Sequence, residues 1–159
     1  MLALLLAATI QGPADIASLT LASDTVVRAE VLGKETHWGA GGGEIFTTVT
    51  LRPLEIWKGE PAAQLSLLVP GGRQGELDQV VQGAALFREG EEVVVFLERR
   101  TPGVYQVARM ALGKFTVGAV SRRAVRDRSG LSCVGCGADE ADALPLDELR
   151  ARVLGSLRK

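Results

Sequence analysis

The stretch Ile45 to Lys58 changes phase in its middle. Apolar residues fall on odd positions at Ile45, Val49 and Leu51, then on even ones at Leu54 and Ile56, with the change at Arg52-Pro53. Alternation with period two marks a strand with one face buried. Proline cannot donate to a ladder and an extra residue flips the facing, so proline at a phase change predicts a β-bulge or a sharply bent strand. Bent strands are the means by which small barrels close.

The neighbouring segments agree. Val27, Ala29 and Val31 alternate with Arg28 and Glu30 in a strand over Thr25–Leu32, and Leu65, Leu67 and Val69 line a third. Residues 73–90 read mostly as connection. Val93-Val94-Val95-Phe96-Leu97 is apolar on both faces, which predicts the central and most buried strand. Two more strands, Val104–Met110 and Lys114–Val117, follow the turn Thr101-Pro102-Gly103 and the break at Gly113. No helical pattern separates these strands, which argues for an antiparallel barrel or sandwich over a parallel α/β sheet.

Helices are expected only at the ends. Asp15–Ser23 can form a short one with Ile16 and Leu19 on one face. Leu146, Leu149, Val153 and Leu157 recur at helical spacing and predict a helix over 145–158, with Asp147 and Glu148 early and Arg158-Lys159 late, as the helix dipole prefers. This helix is expected to cover an open end or edge of the barrel. A chain of 159 residues, 47% of them hydrophobic, supports one sizeable core, so residues 13–159 read as a single domain.

Charge and the amino terminus bound the partners and the compartment. Eighteen basic residues against nineteen acidic ones leave a net charge of -1, which supplies no field for collecting nucleic acid. Seven aromatic residues, most of them within strand patterns, leave little for stacking bases. No nucleic-acid partner is expected. Met1 to Ile10 is uncharged and apolar, the length of a signal-peptide core and well short of the roughly 20 residues that span a bilayer. Residues 1–12 therefore read as an export signal, shortened because no Lys or Arg precedes the run; the alternative is a buried first strand or helix. The expected location is extracellular or periplasmic, with no membrane span.

Few residues carry legible chemistry. Leu67-Leu68-Val69-Pro70-Gly71-Gly72-Arg73-Gln74-Gly75 resembles a phosphate loop but lacks the Lys-Ser/Thr pair and the G-x-G-x-x-G spacing, so it reads as a strand end and turn. Cys133-Val134-Gly135-Cys136 is a single CxxC. In an exported chain the plain reading is a local disulfide, with free thiols, a metal site or thiol redox chemistry as alternatives. Asp139, Glu140 and Asp142 beside it lack EF-hand spacing and read as a solvated loop. The one histidine, His37, has no Gly-x-Ser-x-Gly elbow to serve, and Glu91, Glu92 and Glu98 read as strand-boundary charges. No catalytic residue, metal ligand or cofactor is expected. His37, Trp38 and the glycine loop 39–43 could form a recognition surface, since loops on rigid barrels commonly bind; Arg73 is a further candidate at the barrel rim.

Several stretches together have a familiar pattern: Ser23–Val31, Ile45–Thr50, Leu54-Glu55-Ile56-Trp57-Lys58-Gly59, Val69-Pro70-Gly71-Gly72, Gly83, Phe87, Gly90–Leu97 and Gly113-Lys114-Phe115. From Ser23 to Val117 the chain resembles a group of exported bacterial proteins of uncharacterised function and, more distantly, netrin-like domains of the tissue-inhibitor-of-metalloproteinases type. The resemblance implies a small OB-like antiparallel β-barrel. It also implies an exported, non-catalytic module whose loops hold a protein partner. Those inhibitors chelate a protease zinc through a cysteine at the mature amino terminus, and here no cysteine precedes Cys133. The alternative function is a thiol/disulfide or metal-binding protein using Cys133 and Cys136.

Overall fold

The computed structural model describes residues 12–128, 131, 133, 135, 136 and 142–159. Most of the expected export signal and the acidic residues Asp139 and Glu140 lie outside the described residues. The chain is mainly β, with a large sheet dominated by antiparallel pairs and two α-helices.

A short helix α1 (Ile16–Ala22) opens the described chain. Asp15 caps it by accepting from the Ser18 backbone N–H at 3.2 Å, and the Ser23 hydroxyl closes it by donating to the Leu19 carbonyl at 2.6 Å. Two long strands follow, β1 (Thr25–Trp38) and β2 (Ile45–Lys58), paired from Val26↔Lys58 to Trp38↔Ile45. The expected irregularity of β2 is present. Leu54, next to Pro53, has no partner across the pair, because Ala29 pairs Pro53 and Arg28 pairs Glu55. Trp57 and Leu32 are skipped in the same way.

These bulges correct two expectations. Leu54 was expected to face inward but is exposed, because the extra residue of a bulge leaves the alternation. Trp57 is the buried side chain at that end of β2, while Ile56 packs half-buried on the other side. The second correction concerns β1, which runs six residues beyond Leu32. Its outer arm, Gly33 to Trp38, pairs with β2 but buries no side chain fully, so no apolar alternation announced it.

The remaining strands are β3 (Leu65–Pro70), the small hairpin β4 (Gly72–Gln74) and β5 (Leu77–Gln79), β6 (Glu92–Thr101), β7 (Val104–Val107), β8 (Lys114–Val117), β9 (Arg123–Arg126) and β10 (Ala143–Pro145). A 3-10 turn at Met110–Gly113 takes the place of the expected end of the Val104–Met110 strand. Strand β1 pairs with both β2 and β6; β2 pairs with β3, β3 with β7, and β7 with β6. One of these links departs from the antiparallel expectation: β3 and β7 run parallel, Ser66 opposite Val104 and Leu67 opposite Tyr105. Beyond β6 the sheet continues through β8, β9 and β10.

Strand β6 is the divider of the interior, as its five apolar residues predict. Val93, Val95 and Leu97 point into one core with Val27, Ala29, Val31, Val49, Leu51, Leu65, Leu67 and Tyr105. Val94 and Phe96 point into a second, with Ile16, Leu19, Val26, Trp57, Leu112 and Phe115. The helix α2 (Leu146–Leu157) covers this second core with Leu146, Leu149 and Val153. It thus lies beside α1 on the face of the sheet that carries the second core, and Arg158 caps its carboxyl end. Residues 80–90, part of the stretch expected to be mostly connection, place Ala84, Ala85 and Phe87 against the first core.

Candidate functional site

The Pro70-Gly71-Gly72 turn shapes one wall of a groove. Gly71 and Gly72 have φ of 95° and 137°, and a Cβ on Gly72 would stand 2.6 Å from Thr47 Oγ1. The expected strand end and turn are therefore present, and the two glycines let the chain fold back tightly over β2. Thr47 Oγ1 donates to Gly71 O at 2.8 Å, and Thr36 Oγ1 donates to Arg73 O at 2.7 Å. These bonds hang the β4–β5 hairpin on the outer arm of β1 and β2.

Between that arm and the 80–88 segment lies a groove of about 500 Å³. Lys34, Arg73 and Arg88 line it against one carboxylate, Asp78. Lys34 is anchored by donating to the Phe87 carbonyl at 3.1 Å. Val80 and Leu86 stand on the groove with 84% and 70% of their surfaces exposed, the most exposed large apolar side chains there. A smaller hollow of about 330 Å³ lies across Val69, Pro70, Ala84 and Ala85, where Arg109 and Met110 have φ of 55° and 56°. Within it Gln106 donates to Glu98 at 3.1 Å and Arg109 pairs with Glu98 at 3.8 Å.

Of the three candidate recognition residues, Arg73 lines the groove, while His37 and Trp38 stand at the end of β1 on opposite faces of the strand. Arg73 sits beside Thr36, and strand alternation puts Trp38, 42% exposed, on the Thr36 side. His37 points the other way. Its Nε2 meets Thr48 Oγ1 at 2.8 Å and its Nδ1 meets Trp38 O at 3.2 Å. A carbonyl only accepts, so Nδ1 is the donor in the contact with Trp38 O. Both ring nitrogens are thereby engaged within β1 and β2. Sequence reasoning did not find Lys34, Arg88, Val80 or Leu86, because nothing local marks a residue in a polar arm or an irregular connection.

The cysteines build a second, separate arrangement. The sulfurs of Cys133 and Cys136 are at disulfide distance, with Cα atoms 5.6 Å apart, as the plain reading of the CxxC expected. Beside them lies a residue no motif announced. Arg126 is on the inward side of β9, with 4% of its surface exposed, and stacks over the Phe115 ring at 4.8 Å. Its Nη1 donates to the Ala14 carbonyl at 2.7 Å and stands 3.4 Å from Cys133 Sγ and 3.5 Å from Cys136 Sγ. Asp142 Oδ1 is 4.0 Å from Arg126 Nε, and Asp142 also pairs with Arg128 at 2.8 Å. Gly135, at φ 80°, brings the loop against Pro13 and the Asp15 carboxylate. The pleat of β9 places Ala124 and Arg126 on one face, but four residues are too short a run to have marked that face in the sequence.

Glu91 and Lys114 form a third polar feature, 2.9 Å apart, with Lys114 nearly buried over the Phe87 ring. Lys114 Nζ also donates to the Leu86 carbonyl, so this pair fastens β8 to the 80–91 segment. Among the described residues, no group of three His, Cys, Asp or Glu side chains is placed to hold a metal ion. The Arg99 guanidinium, held by a hydrogen bond to the Tyr105 hydroxyl, is pushed above its ordinary value and stays charged across the usable pH range. No helix of the described residues is long and apolar enough to cross a membrane. No family model matches the chain, and comparison with curated proteins finds no match.

Proposed function

We propose that this chain is an exported, non-catalytic interaction module built on an OB-like β-barrel. The pairings support the barrel: β1 joins β2 and β6, and the parallel β3–β7 link completes a circuit of five strands. OB-folds characteristically bind on the face of their second and third strands and at the first hairpin loop. The groove beside Thr47, Val69 and Pro70, with Trp38 at the neighbouring hairpin, lies in that region. The cysteine pair at disulfide distance is compatible with an oxidising compartment and so with export.

The groove is the observation that carries the binding role. Exposed Val80 and Leu86 between Lys34, Arg73 and Arg88 suit a protein segment that presents apolar and acidic side chains together. A photo-crosslinker at Val80, used in a periplasmic extract or culture medium, is expected to join the full chain to a discrete protein. Arg73→Glu combined with Leu86→Ser should reduce that product at least about tenfold, a loss of roughly 1.4 kcal/mol or more. Equal crosslinking by the variant, or no discrete product from either source, overturns the proposal.

A further inference from the structure

We infer that Cys133 and Cys136 form an exchangeable disulfide that oxidises dithiols, with Arg126 stabilising the thiolate released when the bond opens. This site is separate from the groove and does not depend on the barrel reading. The observation is the placement of one guanidinium nitrogen within 3.5 Å of both sulfurs. A neutral disulfide makes little use of a cation. A thiolate does, and thiols beside Arg or Lys ionise more readily than the ordinary thiol.

The surroundings fix that cation in place. Arg126 is held by the Ala14 carbonyl and the Phe115 ring, so its position is set by the second core independently of the sulfurs. Among the described residues, the charged groups near the loop include Asp15 at the amino end of α1, Asp127 next to Arg126, and Asp142 with its partner Arg128. The carboxylates oppose thiolate formation. The guanidinium stands against both sulfurs at 3.4 and 3.5 Å, whereas Asp142 lies 4.0 Å from Arg126 Nε and is shared with Arg128 at 2.8 Å. Both cysteines are half-buried, with Cys133 packed on the second core, so each keeps some exposure to an incoming thiolate.

The exchange balances with a dithiol as reductant. A donor thiolate attacks one sulfur of the Cys133–Cys136 bond; that bond breaks, a mixed disulfide forms, and its electron pair leaves on the other cysteine beside Arg126. The second donor thiol, on losing its proton to solvent, attacks the donor's own sulfur in the mixed disulfide, and the protein sulfur leaves as a second thiolate. The donor departs as a disulfide, two electrons pass to this chain, and the two released thiolates take protons from solvent to give the dithiol. Stabilising the reduced form makes the disulfide more oxidising, because the equilibrium moves toward the thiols.

The test uses the full chain without denaturant. In the reduced wild type, thiolate absorbance against pH should show one cysteine ionising with a midpoint below about 7.5, against about 8.5 for an ordinary thiol. Equilibration with reduced and oxidised glutathione, read by alkylation and mass, should show Arg126→Met shifted at least about tenfold toward the disulfide, with Arg126→Lys close to wild type. Dithiothreitol and a synthetic two-cysteine peptide serve as small-molecule and polypeptide donors. Reduction by either one supports the inference, and the faster donor identifies the source. A wild-type midpoint at or above the ordinary thiol value, or resistance to both donors, overturns it even if Arg126→Met does not fold.

Discussion

Single residues in this chain are constrained chiefly by what stands within 3 Å of them. Gly72 is held at φ 137° with Thr47 Oγ1 and Thr36 Cγ2 at 2.6 and 2.7 Å from any Cβ it might carry. Gly72→Ala is expected to cost about 1–3 kcal/mol, seen as a lower urea midpoint with an unchanged slope. Gly75 has φ 63° and open space, and Gly75→Asn should change the midpoint little. The Lys114–Glu91 pair gives a different prediction. Lys114→Ala leaves the half-buried Glu91 carboxylate without its cation, still held by the Arg88 N–H at 3.0 Å, and should cost about 1–3 kcal/mol, while Lys114→Met with Glu91→Gln should recover most of it. Arg126 shows why such residues escape a reading of the sequence. An arginine in a strand is a solvent-facing residue by default, and only the ring of Phe115 and the carbonyl of Ala14, distant in sequence, make burial tolerable.

Secondary-structure elements were legible in proportion to how much apolar surface each buries by itself. The bounds of β2 were readable because Ile45, Val49, Leu51 and the proline mark its course, and α2 because Leu146, Leu149, Val153 and Leu157 repeat at helical spacing. Strands β4, β5, β9 and β10 have three or four residues each, too few to establish a period. The outer arm of β1 is polar on both sides and is ordered by its partner strand. The same logic ranks the elements' sensitivity. Leu149→Ala, at a fully buried position where α2 meets the sheet, should cost about 2–5 kcal/mol by chemical denaturation. Asp15→Ala removes one capping bond from the seven-residue α1 and should cost about 0.5–2 kcal/mol.

At the scale of the molecule, two cores share one strand. Leu67 lies in the first and Leu149 in the second, with β6 between them. Leu67→Ala and Leu149→Ala should therefore add within about 0.5 kcal/mol, as sites without common partners do. Unfolding should still be a single transition by circular dichroism and Trp fluorescence, because loss of β6 uncovers both cores at once. A double variant that departs from additivity by more than about 1 kcal/mol would show that the cores are coupled through β6. The sequence by itself determined the mainly β class, the bulge beside Pro53, the buried centre at Val93–Leu97, the Gly71-Gly72 turn and the two terminal helices. Each follows from a local period or a residue whose backbone options are few. The parallel β3–β7 link, the division into two cores, the groove under Val80 and Leu86, and the burial of Arg126 against Cys133 and Cys136 were decided only by tertiary structure. These depend on which surfaces meet after the chain has closed on itself, and the residues concerned bear no local pattern until they do.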